Sequence, residues 1–357
     1  MEGKTRSFLG LSMSFLFLLW GCSGEKSAWM GSIAYENGIK VVRNPSQPAH
    51  GEFLLELEED LSIGGGEDSN YRFYNARNLA LDAEDNIYVL DTGNHRIQKF
   101  DRNGHYLQTI GKKGQGPGEF EGPVKICLGE LNDLFVLDGQ KIKVFDSRGN
   151  FLENVLLQNS LSDFLMCKGG GIIGLARVSG EQSKRMVVKI DSSGKIEKTI
   201  AEFPDVKPAE RKDKGGGFRF TVYHVYSPRL CLSNIDGKTF CYAFALDYKL
   251  AVSDAEVNTL FKVRKEEAPK PISQKEKEGI IRGVEQHISR RGPKWPPDVL
   301  AEACHFSSRR PIFFGIDSDD KKRLWVWRVK SVLDKSEEEG FDLFSEEGHY
   351  LRLKEHI

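Results

Sequence analysis

Residues 100–107 read FDRNGHYL, residues 145–152 read FDSRGNFL and residues 190–197 read IDSSGKIE. The three stretches align without gaps, and their aspartates lie at positions 101, 146 and 191, two intervals of 45 residues. Each Asp-x-x-Gly stretch has the composition of a tight turn, in which the Asp side chain caps backbone amides and the Gly takes a positive φ. A repeat period of about 40 to 50 residues is typical of propellers and solenoids.

One period also has the hydrophobic pattern of four short strands separated by turns. In the first complete period these predicted strands are Asn78–Asp82, Ile87–Asp91, Arg96–Asp101 and His105–Ile110. Four antiparallel strands in about 45 residues form one propeller blade, which must stack against its neighbours to bury both faces.

The stretch from Leu81 to Asp101, LDAEDNIYVLDTGNHRIQKFD, resembles an NHL repeat. A second copy at Leu131–Asp138 keeps the strand pattern but lacks the Asn-His-Arg element, and later copies diverge further. The resemblance covers roughly residues 39–357 and is closest to the six-bladed NHL-like propeller lipoproteins of bacteria. It implies a single propeller domain over 39–357.

Five units have inner strands that begin near residues 77, 124, 164, 229 and 312. Two N-terminal strands, Ile39–Arg43 and Phe53–Ile63, are expected to complete a further blade and close the ring, because closure removes exposed sheet edges. The sequence therefore predicts an all-β, six-bladed β-propeller of four-stranded antiparallel blades, with one helical insertion.

The N-terminus has the pattern of an export signal. Lys4 and Arg6 precede an apolar run from Phe8 to Trp20, which is too short for a permanent membrane span but suits a signal peptide. The sequence Leu-Trp-Gly-Cys ending at Cys22 resembles the bacterial lipobox. It implies a signal peptide over 1–22, a lipidated Cys22 and a flexible tether over 23–38.

A lipid-anchored protein of the bacterial cell envelope is the resulting expectation, with the outer membrane favoured because Ser23 follows the cysteine. Several acyl chains would supply stable anchoring. An ordinary secretory signal with an incidental cysteine is the alternative.

Two insertions interrupt the period, at residues 203–226 and 262–308. The second contains a capping box, Ser273-x-x-Glu276, which predicts a helix. Its apolar face would comprise Ile280, Ile281, Val284 and Ile288. Both insertions should emerge at one mouth of the channel, where they would form either a lid or a plug that only fills space.

The cysteines fit core packing better than disulfides or a metal site. Aligning the predicted inner strands gives a column of small residues, namely Ala80, Cys127, Cys167, Cys231 and Gly315. Cysteines on different blades are too far apart to pair, and no metal-ligand spacing is present. Cys231 and Cys241 could meet in one hairpin, and Cys304 stands alone.

The sequence lacks the motifs of common hydrolases, nucleotide-binding loops and calcium loops. The candidate ligand site is a polar rim at the channel mouth, with Lys125 and Arg229 placed to hold an anion and Asp138 or Asp247 to accept hydrogen bonds. The full rim comprises Asn78, Asp91, Lys125, Asp138, Arg229, Asp247 and Arg328. Alternatively, these residues are turn caps and solvated strand ends.

The balance of 51 basic and 52 acidic residues argues against nucleic-acid binding. We therefore expect a membrane-anchored binding or scaffold module for a glycan, peptide or protein, without a cofactor, catalytic residues or a resident metal. The alternative implied by the resemblance is a metal-dependent lyase or lactone hydrolase acting at the channel mouth, for which no ligand set can be assigned.

Overall fold

The computed structural model describes residues 29–48, 53–56, 59–178, 183–205, 210–213, 219–289, 296–334, 340–351 and 353–356. The predicted signal peptide and Cys22 lie outside these residues. Within them, no helix has both the length and the apolarity that crossing a bilayer requires.

Five four-stranded sheets of sequential antiparallel strands, here called blades 1 to 5, make up most of the described chain. From the inner to the outer strand, blade 1 contains Ala76–Leu81, Ile87–Asp91, Arg96–Phe100 and Tyr106–Ile110; blade 2 contains Pro123–Leu128, Leu134–Asp138, Lys141–Phe145 and Phe151–Leu156; blade 3 contains Leu161–Met166, Ile172–Val178, Lys184–Ile190 and Ile196–Pro204; blade 4 contains Leu230–Asn234, Thr239–Phe244, Lys249–Asp254 and Thr259–Lys265; blade 5 contains Phe313–Ser318, Leu324–Arg328, Gly340–Phe344 and Leu353–His356.

Buried apolar clusters join each blade to the next. One cluster lies between blades 1 and 2, and equivalent clusters follow between blades 2 and 3, 3 and 4, and 4 and 5. Phe145, Phe164, Phe240 and Phe344 are fully or almost fully buried in these interfaces. Successive inner strands are therefore held side by side around a common channel.

The N-terminal strands extend two of these sheets. Ser32–Glu36 and Ile39–Asn44 form a hairpin, and the second strand pairs in parallel with the outer strand of blade 4. Phe53–Glu56 pairs in parallel with the outer strand of blade 5. The predicted all-β propeller is confirmed, and five ring sheets with joined N-terminal strands are consistent with six-bladed closure.

Two boundaries differ from the sequence prediction. The range 23–38 was assigned to a tether, yet Ser32–Glu36 is paired along its length with Ile39–Asn44, so the folded part begins earlier. The strand expected at Phe53–Ile63 is described only at Phe53–Glu56, and residues 59–68 have no regular structure.

The repeated turn has the predicted geometry. In blade 1, the Asp101 carboxylate accepts hydrogen bonds from the amides of Asn103 and His105 at 2.9 and 2.8 Å. Gly104 donates its amide to the Asp101 carbonyl and takes a φ of 80°. The turns at Asp146 and Asp191 repeat this pattern.

The two insertions meet on one side of the ring. The first contains Glu210–Asp213 and Arg219–Val225, and the latter strand pairs in parallel with Cys304–Phe306 of the second. The second also contains helices α1 (Gln274–Ser289) and α2 (Pro297–Ala303). Half of the predicted capping box forms, since the amide of Glu276 donates to the Ser273 hydroxyl at 3.2 Å, whereas the Glu276 carboxylate bonds Tyr226, Arg310 and Ser331. The predicted apolar face of α1 is only partly buried.

All five described cysteines are free. In the blade 4 hairpin Cys231 lies opposite Ala243, and Cys241 lies opposite Ser233, so the register separates the two thiols. Cys304 is buried in the second insertion.

The predicted column of small residues is correct for blades 1 and 2 and wrong for blades 3 to 5. Counting back from the first hairpin turn of each blade, the residues level with Ala80 and Cys127 are Leu165, Ser233 and Asp317. The sequence alignment was therefore displaced by two residues in these three blades.

Candidate functional site

Five inner-strand residues lie at the same depth in the channel and form a ring there. Each is four residues before the first hairpin turn of its blade, and together they are Asn78, Lys125, Asp163, Cys231 and Gly315. In four of the five blades a strand irregularity immediately precedes this position, which re-aims the side chain. Charged side chains are therefore directed to the axis at this level.

Lys125 and Asp163 form an ion pair across the boundary of blades 2 and 3. Their Nζ and Oδ1 atoms are 3.1 Å apart, and both side chains remain about a quarter exposed, at 28% and 27%. Burial raises the pKa of the Asp163 carboxyl; Lys125 opposes the rise, and the negative charge of Asp317 adds to it. Burial would lower the pKa of Lys125, but the neighbouring carboxylates outweigh it and raise that pKa.

Asp317 lies two residues deeper on the inner strand of blade 5. Its Oδ2 accepts a hydrogen bond from the Trp327 indole at 2.6 Å, and it is the only oxygen of this carboxylate with a partner among the described residues. We call Lys125, Asp163 and Asp317 the waist. The waist holds two carboxylates and one ammonium group, so it is net negative.

Two chambers meet at the waist. The upper chamber, on the side of the insertions, has a volume of about 730 Å³ and is lined by all three waist residues. The lower chamber has a volume of about 320 Å³ and shares Lys125 and Asp317 with the upper one. The upper chamber is within the size range of small-molecule sites, which is about 300 to 1,000 Å³.

The wall of the upper chamber toward the insertions carries two arginines that share one carboxylate. Arg177 and Arg185 donate from Nε to opposite oxygens of Asp205 at 2.7 and 3.1 Å. Burial would raise the pKa of Asp205, but the hydrogen bonds from both arginines outweigh it and hold the pKa below its usual value. Because one carboxylate faces two guanidinium groups, this cluster keeps a net positive charge.

Arg229 and His224 extend this positive wall. Arg229 is exposed and lines the chamber, and its side chain makes no hydrogen bond or ion pair with the described part of the chain. His224 lines the chamber too, and its Nε2 is buried without a hydrogen-bond partner. Ser227, between them, donates its hydroxyl to the His224 carbonyl at 2.8 Å. The end of the first insertion thus brings an unneutralised cation to the mouth.

Three of the predicted rim residues lie in these chambers. Lys125 and Arg229 line the upper chamber. Asn78 lines the lower chamber, where its Oδ1 accepts a hydrogen bond from the Ile126 amide at 2.9 Å.

The other four predicted rim residues line neither chamber. Asp91 is fully buried and accepts hydrogen bonds from the Tyr74 amide and the Arg96 guanidinium. Asp138 accepts hydrogen bonds from two backbone amides and forms an ion pair with Lys143. Arg328 is held by Glu267 and Asp342, whereas the exposed Asp247 pairs with Lys249. These four serve as structural caps and ion pairs in this structure, as the alternative interpretation expected.

Sequence reasoning missed Asp163, Asp317, Arg177, Arg185 and His224. Counting each inner strand back from its hairpin turn would have placed Asp163 level with Lys125. The arginines and His224 carried no such signal, because they belong to longer strands and to an insertion. Within the described ranges, no three His, Cys, Asp or Glu side chains converge as a metal-binding group would.

A family model matches residues 78–289, from the inner strand of blade 1 to the end of α1. The chain belongs to the DUF4934 family. This family is described as a domain of unknown function. Curated protein sequences contain no match to the chain.

Solved structures resemble this DUF4934 chain at low identity. A protein of Bacteroides fragilis, described as exported, is 13% identical over 84% of this chain and 79% of its own, with a TM-score of 0.49. A streptogramin B lyase is 11% identical over 77% and 66%, with a TM-score of 0.40. A gluconolactonase of Xanthomonas campestris is 11% identical over 78% and 74%, with a TM-score of 0.37. Likenesses of this degree carry no activity to this chain.

Proposed function

We propose that the protein is a binding module whose upper chamber holds a small ligand by an anionic group. The observation that carries the proposal is Arg229, an exposed residue that lines the chamber and whose guanidinium has no partner among the described residues. The other cations of the chamber are already engaged by Asp205 and Asp163.

A guanidinium group suits this role because its planar donors match a carboxylate or phosphate in a two-point contact. Phe314, which is 44% exposed, lines the same chamber and offers apolar contact area to the rest of the ligand. Ligand sites commonly combine a few convergent polar groups with apolar surface of this kind.

The test uses hexanoate as the probe, with 1-hexanol as its uncharged counterpart. Titration calorimetry on the protein without residues 1–22 should show binding of hexanoate and weaker binding of hexanol. Arg229→Gln should weaken hexanoate binding by about 10- to 100-fold, because a hydrogen bond to a charged group contributes roughly 1.5 to 3 kcal/mol. Arg102→Gln, an exposed turn arginine on blade 1, is the matched control. Equal hexanoate binding by Arg229→Gln and wild type would overturn the proposal.

The same proposal places the module outside the cytoplasm on a lipid anchor at Cys22. The support is the signal-like run before Cys22 and the lipobox resemblance. Cys22→Ala should move the protein from the membrane fraction to the soluble fraction of its host. Retention in the membrane fraction after this change would contradict the anchor.

One observation favours an enzyme as the second candidate. Asp163 has a raised pKa and lies in a chamber beside a second carboxylate, Asp317, which is a common setting for proton transfer. The metal-dependent form of this alternative predicts a stoichiometric ion in the purified protein. Elemental analysis after purification without chelators measures it directly.

A further inference from the structure

The charges of the upper chamber are separated along the channel axis. The wall toward the insertions carries Arg177, Arg185 and Arg229, and within the described ranges Asp205 is the only carboxylate bonded to them. The opposite end is the waist, where two carboxylates face one ammonium group. A ligand that spans the chamber therefore meets positive charge at one end and negative charge at the other.

The waist carboxylates have free acceptor capacity. Asp163 Oδ1 pairs with the Lys125 ammonium group at 3.1 Å and accepts a hydrogen bond from the Phe164 amide at 2.8 Å. No described group bonds Asp163 Oδ2. Asp317 receives the Trp327 indole on Oδ2 at 2.6 Å, and no described group bonds its Oδ1. Lys125 compensates only one of the two charges, so the waist favours a cationic group.

Between the two ends the wall contains an apolar section. Phe314, which is 44% exposed, supplies most of it, and the lining residues Leu175, Leu230 and Ile316 are largely buried and add little. Methylene groups and small side chains gain from burial against such a wall, at roughly 0.8 kcal/mol per CH₂. The chamber thus combines an anion site, an apolar section and a cation site in sequence.

We propose that the ligand is a short peptide or amino-acid derivative, with a carboxylate at Arg229 and an ammonium group at Asp317. This inference rests on the proposed function, because it takes the anion site at Arg229 as given. A neutral glycan matches the chamber less well, since it would leave the unpaired charges at both ends without a counterion and still displace water from them.

Three probes with six carbons each separate the contributions. 6-Aminohexanoate carries both charges, hexanoate lacks the ammonium group, and hexylammonium lacks the carboxylate. We expect 6-aminohexanoate to bind at least about 10-fold more tightly than hexanoate, since a charge-assisted hydrogen bond contributes roughly 1.5 to 3 kcal/mol. Hexylammonium should bind most weakly, because the wall at Arg229 repels it.

Asp317→Asn tests the cation site and should fold normally, because the amide oxygen of Asn can still accept the Trp327 indole. In this variant 6-aminohexanoate should lose its advantage over hexanoate, whereas hexanoate binding itself should stay the same or improve. Asp320→Asn, at an exposed position in the next turn of the same blade, is the control and should leave all three affinities unchanged.

The outcomes distinguish the two proposals. If hexanoate and 6-aminohexanoate bind equally, and Arg229→Gln weakens both, the anion site stands and the peptide-like ligand is excluded. If Arg229→Gln changes neither affinity, the proposed function fails. If none of the three probes binds at about 10 mM, where even sub-millimolar sites are saturated, both proposals are overturned.

Discussion

The Tyr226 hydroxyl donates a hydrogen bond to Glu276 Oε1 at 2.9 Å, and this contact joins the two insertions. The same oxygen accepts from Arg310 and Ser331, each at 2.7 Å, and Glu276 is only 4% exposed. Burial would raise the pKa of Glu276, but these three hydrogen bonds outweigh it and lower the pKa. A single buried carboxylate therefore fixes the start of α1 to the first insertion and to the segments that precede and follow the first two strands of blade 5.

We expect Glu276→Ala to lower the free energy of unfolding by about 3 kcal/mol, because Arg310 would be left near the site without its counterion. For a protein of this size the thermal midpoint should fall by roughly 4 to 5 °C. Glu278→Ala, two residues along the same helix and exposed, should change it by less than about 2 °C. Equal midpoints for the two variants would show that Glu276 does not anchor the insertion.

Asp342 connects blade 5 to blade 4 through four donors. Its carboxylate accepts from the hydroxyls of Tyr248 and Tyr350 at 2.5 and 2.6 Å, and from Lys265 and Arg328 at 2.9 and 2.6 Å. The side chain is 1% exposed. Asp342→Asn removes the charge that the buried Lys265 and the partly exposed Arg328 share, so we expect a loss on the order of 3 kcal/mol, measured by urea unfolding.

Asp247→Asn is the control for Asp342, because this exposed carboxylate pairs with an exposed lysine. Such surface pairs contribute roughly 0 to 1 kcal/mol. A similar small effect at both positions would contradict the structural role assigned to Asp342 and to its partner Arg328.

Stability should decrease in acid. Burial would raise the pKa of Asp236, but hydrogen bonds from Thr239 and Lys238 and the contact with Lys322 outweigh it and lower the pKa to about 2. The usual value is 3.8, so the stabilisation by this group is complete above about pH 4 and is lost as the pH falls towards 2.

Between pH 4 and pH 2, the Asp236→Asn variant should therefore lose about 2 kcal/mol less unfolding free energy than wild type does. Urea titrations at each pH measure this difference. Asp320→Asn should keep the wild-type slope. If both variants lose stability with acid as steeply as wild type, the Asp236 turn does not hold its carboxylate ionised.

The cysteines should resist both oxidation and labelling in the native protein. Burial raises the pKa of Cys167 to about 11, and that of Cys127 and Cys231 to about 12. Because the thiolate is the reactive form, a thiol reagent at pH 8 should label the protein without residues 1–22 only slowly until denaturant is added, when five groups should react. Five thiols reacting at once in the native state, or fewer than five after denaturation, would contradict this arrangement.

Features set by local sequence were predictable. The turn at Asp101 depends on a carboxylate and a glycine three residues apart, and the start of α1 depends on Ser273 and Glu276, so both were found from spacing. Asp163 and Asp317 were missed for a physical reason. A displacement of two residues along a strand keeps every side chain on the same face, so the hydrophobic pattern cannot detect it.

The positive wall of the chamber was harder still to predict. The second and third strands of blade 3 carry Arg177 and Arg185, and Asp205 directly follows the outer strand of that blade. The three residues meet because the second and third strands of blade 3 pair over a greater length than those of the other blades. Arg229 was identified as an anion-binding candidate from its position before an inner strand, but its lack of a partner is a property of the tertiary structure.

A crystal structure grown with 6-aminohexanoate tests the account most directly. We predict its carboxylate within hydrogen-bond distance of the Arg229 guanidinium and its ammonium group within hydrogen-bond distance of Asp317, at the waist end of the upper chamber. Density for the probe in the lower chamber, in the reverse orientation or on the outer surface of the blades would contradict the account.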